Sequence, residues 1–236
     1  MECLKELGRP GDWLGHVEFR DDGRYELECP RGHTFITILQ EQKYEVLFEI
    51  GINAILDGYY REAVASFAAA LERFYEFAVK VVLEEGAVDH ADVLATWKLV
   101  TNQSERQLGA FIFLWLNRFR KIPDLLPKKS VEFRNEVIHK GRIPTREEAH
   151  AFGDAVLEVI VPKLAQLREH LKEAMIKATF YTLKARHSSD AQIQPSTMSI
   201  RTVFRAVGIP SSEPITLARY LQESQQARVV FRASGV

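Results

Sequence analysis

Within the ten residues Glu132-Phe-Arg-Asn-Glu-Val-Ile-His-Lys-Gly141 stand an arginine, an asparagine and a histidine. An imidazole moves protons near neutral pH, a guanidinium stabilises negative charge, and a side-chain amide can only donate or accept hydrogen bonds. Those types suit cleavage of RNA without a metal. His139 would take the proton of a 2′-OH, Arg134 would stabilise the phosphorane formed as that oxygen attacks phosphorus, and Asn135 would orient His139 or hold a phosphate oxygen. On a helix Asn135 and His139, four apart, share a face, while Phe133 and Val137 point nearly the opposite way. Arg134 lies about 140° around from His139, so only its long side chain, or a second such helix, could bring guanidinium and imidazole together. On spacing alone, a surface helix with an incidental histidine is the competing reading.

Basic residues gather around this segment. Residues 117–146 hold nine Lys/Arg against three Asp/Glu, whereas residues 1–50 hold six against eleven, so the net charge of −1 hides a basic zone that could attract a polyanion. Lys128, Lys129, Lys140 and Arg142 are the candidates for RNA phosphates, solvated basic turns being the plain alternative. Cys29-Pro-Arg-Gly-His33 resembles half of a zinc-ribbon knuckle. Cys3 and His16 stand at irregular spacings from it, so no metal is expected and a hairpin turn is the favoured reading. His90, His150, His170 and His187 lack ligand spacing and are expected to face solvent. Glu72 and Arg73 could support the motif or simply form a wet helix face. Trp97 and Trp115 are expected in the core.

The elements that must position these residues follow from periodicity. Val17/Phe19, Tyr25/Leu27/Cys29 and Phe35/Thr37 alternate at period two and are interrupted by Asp21-Asp-Gly and Pro30-Arg-Gly. This predicts a three-stranded meander from His16 to Leu39, an appendage over residues 1–42. From Tyr44 the period is helical. Helices are predicted over Tyr44–Asp57 and Tyr60–Glu85 as an antiparallel hairpin, then His90–Val100 and Glu105–Phe119, whose run Phe111-Ile-Phe-Leu-Trp-Leu should be deeply buried. A basic, Pro-punctuated loop precedes the motif helix, Ser130–Lys140, which Gly141 and Pro144 end. The capping box Thr145-Arg-Glu-Glu148 opens a long helix to Arg186, bent at Pro162. Residues 43–186 thus read as one helical bundle. Residues 187–236 read as a linker and C-terminal extension, with helices over Ile200–Val207 and Ile215–Glu223 and a strand at Arg228–Phe231. The fold class is mainly α, with a small β-meander and a short α/β tail.

With 46% hydrophobic and 27% charged residues over 236 positions, the chain can bury a core without disulfide or metal. That composition excludes a disordered or membrane-embedded class. The acidic N-terminus does not fit a signal peptide, and two cysteines suit a reducing compartment, so a cytoplasmic protein with no membrane partner is expected.

Arg134-Asn135-x-x-x-His139, late in a bundle of helices, resembles the Arg-polar-x-x-x-His signature of the HEPN superfamily. The resemblance covers roughly residues 43–186. It implies a homodimer in which two motif helices meet in a cleft and form a composite, cofactor-free endoribonuclease site leaving a 2′,3′-cyclic phosphate and a 5′-OH. It further implies a toxin or antiviral-defence role, held in check by an inhibitor, an antitoxin or a larger defence complex. Some members carry a modifiable tyrosine two residues after the histidine, where this chain has Gly141. The alternative implied by the same resemblance is a non-catalytic module that binds RNA or a nucleotide, or docks a partner.

Overall fold

Periodicity and punctuation translate into a mainly helical chain with a three-stranded sheet. The computed structural model describes residues 6, 8, 18–187, 196–207 and 216–233. They form two compact units, one of residues 1–41, 179–200 and 226–236, the other of residues 42–178 and 201–225.

In the first unit, β1 (Arg24–Glu28) and β2 (Thr34–Leu39) pair antiparallel, with Arg24 opposite Ile38 and Glu28 opposite Thr34. The meander is only partly as expected. Residues 16 and 17 lie outside the described residues, and 18–20 form no strand. The third strand is instead β3 (Ser196–Met198), parallel to β2 and drawn from the segment read as a linker. Gln40 N–H donates to the Met198 carbonyl at 2.9 Å, and Gln40 Nε2 to Thr197 Oγ1 at 2.7 Å. The edge of β2 supplies the pairing that makes this Ser-Thr-Met tripeptide a strand. Ile36, Ile38 and Leu39 are buried on β2.

The second unit contains α1 (Lys43–Asp57), α2 (Tyr60–Glu85), α3 (His90–Lys98), α4 (Ser104–Phe119), α5 (Lys128–His139) and α6 (Arg146–His170). α1 opens with a capping box between Gln42 and Glu45, and ends where Gly58, at φ +83°, supplies the left-handed turn. A tight hairpin then returns the chain as α2. Phe67 of α2, fully buried, is gripped from two sides by small residues. A Cβ added at Gly51 of α1 would stand 2.5 Å from its ring, and one at Gly153 of α6 2.9 Å from it. These two glycines let α1 and α6 press on α2 at one level.

Three differences from the expected helices have physical causes. The long helix to Arg186 is two helices, α6 and α7 (Lys172–Arg186), parted at Leu171 (φ −131°, ψ 31°), with Pro162 in the interior of α6. The apolar run of α4 is not uniformly buried. Phe111 and Trp115 are inside, Trp115 with its ring 4.3 Å from that of Phe119, while Phe113 is 74% exposed. Helical period places it on the opposite side. Residues 228–231 continue a helix instead of forming a strand. α8 (Val203–Val207) and α9 (Leu217–Ala233) complete the chain. Helix propagation through Leu-Ala-Arg-Tyr-Leu-Gln-Glu costs little once begun, and outweighs the short β-like pattern. The extension over 187–236 is thus divided, with β3 in the sheet unit and residues 201–225 in the helical one. There Phe204 and Leu217 are fully buried, Phe204 with its ring 5.1 Å from Phe48 of α1.

Candidate functional site

The motif lies on α5, twelve residues and therefore about 18 Å long. Its anchor is Val137, fully buried, helped by Phe133, whose ring centroid lies 5.9 Å from that of Phe152 on α6. The helix starts two residues earlier than periodicity predicts. Lys128 and Lys129 consequently sit in its first turn, which holds no acidic residue of its own. Two cations at the positive end of the helix dipole disfavour the helix by roughly 0.3–1 kcal/mol each. They raise the local potential for an anion by the same physics.

At the other end Gly141 is left-handed at φ +72°, and the N–H groups of Lys140 and Arg142 both donate to the Glu136 carbonyl at 3.1 Å. Beyond the turn, the Thr145 hydroxyl accepts from Glu148 N–H at 3.2 Å and the Glu148 carboxylate accepts from Thr145 N–H at 2.9 Å. The Arg142 guanidinium pairs with both Glu136 and Glu148 and lies 5.1 Å from the centre of the Phe133 ring. Arg142, expected on phosphate, is therefore a tie between the end of α5 and the start of α6. Lys128 lies 3.7 Å from Glu132, both exposed, while Lys129 and Lys140 are exposed at opposite ends of α5.

His139 is the last residue of α5 and is exposed; Asn135 and Arg134 are half-buried. The face predicted to anchor does so, and the face bearing Asn135 and His139 is turned outward. Arg134 points elsewhere. It lines a cleft of about 190 Å³ walled by α2, α4, the loop before α5, and α5 and α6. Leu71, Leu108, Leu125, Val131 and Phe152 make the apolar lining; Glu72, Tyr75, Ser104, Glu105 and Gln107 supply polar atoms. Within one chain no hydrogen bond joins Arg134, Asn135 and His139 among the described residues.

Glu72 reaches this cleft, whereas Arg73 does not. Arg73 pairs with Glu76 and donates to Gln107 Oε1 at 2.8 Å, and Gln107 Nε2 donates to the Thr101 carbonyl at 2.8 Å, so Gln107 is a buried latch. Sequence reasoning missed the cleft itself. Its signal was present in Ala68, Leu71, Glu72 and Tyr75, an i, i+3, i+4, i+7 stripe in which one position is acidic. Burial holds the Tyr75 phenol well above its ordinary pKa, which keeps the hydroxyl protonated.

The remaining candidates take structural places. Cys29 N–H donates to the His33 carbonyl at 3.0 Å and Gly32 N–H to the Cys29 carbonyl at 2.8 Å, closing the β1–β2 turn. Cys29 Sγ is 3.7 Å from His33 Nδ1, and His33 Nε2 is 3.0 Å from Glu6 Oε1. Cys3 and His16 lie outside the described residues, among which no group of three or more metal-ligating side chains occurs. His90 is less open than expected, with Nδ1 3.0 Å from the buried Glu84 carboxylate; His150 pairs with Asp154. Trp97 and Trp115 are in the core as expected. No helix among the described residues is long and apolar enough to cross a membrane. Compared with protein-family models, curated proteins and solved structures, the chain matches none.

Proposed function

We propose that this protein is a metal-independent endoribonuclease of the HEPN type. The observation that carries the reading is the division of labour on α5: its Val137 side is locked in the core, its His139 imidazole is open to solvent at the helix end, and Arg134 is held half-buried about one and a half turns from Lys128 and Lys129. His139 accepts the 2′-OH proton as that oxygen bonds to phosphorus. Arg134 stabilises the extra negative charge on the phosphorane. The 5′-oxygen then leaves with a proton from imidazolium or water, giving a 2′,3′-cyclic phosphate and a 5′-OH. Asn135 positions the imidazole or a phosphate oxygen, and Lys128, Lys129 and Lys140 attract the RNA backbone.

Arg134 and His139 address different surroundings in one chain, which favours a composite site in which two α5 helices meet in a homodimer. The same geometry supports a second reading, a module that holds RNA or a nucleotide without cutting it. An activity of this kind suits a toxin or antiviral effector governed by an inhibitor or larger assembly. Incubation of cellular RNA with purified protein in excess chelator separates the two. Chelator-resistant fragments bearing cyclic phosphates are expected; RNA that stays intact while bound would move the assignment to the binding module.

A further inference from the structure

The cleft beside Arg134 has two half-buried, oppositely charged groups on apolar walls. Among the described residues the Glu72 carboxylate and the Arg134 guanidinium pair neither with each other nor with anything else, although both line the same space. A ligand that fits must bring an anion to Arg134 and hydrogen-bond donors on a flat apolar body to Glu72. A nucleotide has that form, its phosphate on Arg134 and its base in the cleft. An ionised carboxylate only accepts hydrogen bonds, through two oxygens. Of the four RNA bases, guanine alone presents two adjacent donors on one edge, N1–H and the 2-amino group. Adenine and cytosine place an acceptor beside their amino group, and uracil flanks its single N–H with carbonyls, so each would set an acceptor against a carboxylate oxygen. Unpaired RNA bases are read on this edge while their faces rest on apolar or aromatic side chains. Phe152 and Leu71 offer such a wall. A closed cavity of about 150 Å³ accommodates a benzene ring; about 190 Å³ with an open mouth admits one base with its sugar outside.

We propose that this cleft is the subsite for an unpaired guanine next to the scissile phosphate, with Glu72 the residue that selects it. This rests on the ribonuclease reading, which puts Arg134 on that phosphate. The test has a binding arm and a cleavage arm, both on the full chain. Calorimetric titration with the four nucleoside 3′-monophosphates should show guanylate bound about tenfold or more tighter than the other three, the discrimination that a bidentate base contact gives. Glu72→Gln, its fold checked by circular dichroism, should erase that preference, because an amide meets one donor with a donor. Val131→Phe, which fills the cleft, should abolish guanylate binding. Equal affinity for all four nucleotides, or a guanylate preference that neither variant moves, overturns the subsite. In the cleavage arm, oligonucleotides with a single unpaired guanine should be cut beside it, and the ratio of those cuts to others should fall in Glu72→Gln. Cutting without regard to guanine removes the subsite and leaves the ribonuclease; guanylate held through Glu72 by a protein that cuts no RNA removes the ribonuclease and leaves the subsite.

Discussion

At the scale of single residues, two buried ionisable groups report on how the helical unit is held, independently of its chemistry. The Glu49 carboxyl accepts from Val203 N–H at 2.8 Å, and burial raises its pKa to about 7 despite that bond and one from Tyr220. A carboxyl whose folded pKa lies above its unfolded value adds stability that is full below the ordinary carboxylate range and lost as pH rises through about 7. The melting temperature should therefore fall between about pH 5 and pH 7, and Glu49→Gln should flatten that dependence; an unaltered slope in the variant would contradict the assignment. Lys163 is the opposite case, a lysine held down to about 8 by burial, with Nζ donating to the Val159 carbonyl at 3.1 Å. Its neutral form is favoured by folding, so its contribution is present above the ordinary lysine range and lost as pH falls through about 8. At pH 7 Lys163→Met should stabilise by about 1–3 kcal/mol, read as a higher denaturation midpoint, whereas a lower midpoint would mean that the ammonium is well paired.

At the scale of elements, close helix contact depends on the missing side chains at Gly51 and Gly153. Alanine is the better helix former by about 1 kcal/mol, yet a Cβ at Gly51 meets the Phe67 ring. Gly51→Ala should therefore destabilise by roughly 1–3 kcal/mol, measured by chemical denaturation; a stabilised variant would show that the core gives way there freely. Gly141→Ala should lose about 1 kcal/mol through its left-handed backbone and loosen the end of α5 that carries His139. Much of this was legible in the sequence. Tyr60–Glu85 runs from residue to residue as its apolar stripe and Gly86 predict, and the Thr145 capping box opens α6. The misreadings have separate local causes: three residues such as Ser196–Met198 cannot display alternation, and the break at Leu171 bears no proline or glycine. The candidate site was legible in its motif and in the opposed Val137 face. The role of Arg142 was not, because it depends on Glu148, a residue of the next helix.

At the scale of the whole molecule, the near-neutral net charge does not describe what an RNA would meet. Replacing Lys128 and Lys129 together with alanine should weaken RNA binding at all sequences alike and flatten its dependence on salt by one or two units of slope. A composite site makes a sharper demand. An equimolar mixture of Arg134→Ala and His139→Ala proteins contains heterodimers that retain one intact Arg–His pair, and should recover a substantial fraction of the activity each variant lacks alone. A mixture as inactive as its parts would place Arg134 and His139 of a single chain in one site.

The measurement closest to the central claim is the rate at which purified wild-type, Arg134→Ala and His139→Ala proteins cut RNA in excess chelator, with product ends identified. We expect cyclic-phosphate fragments from the wild type and a loss of about a hundredfold or more in each variant. A His139→Ala protein that cuts at the wild-type rate would contradict the assignment of the α5 helix as the catalytic element.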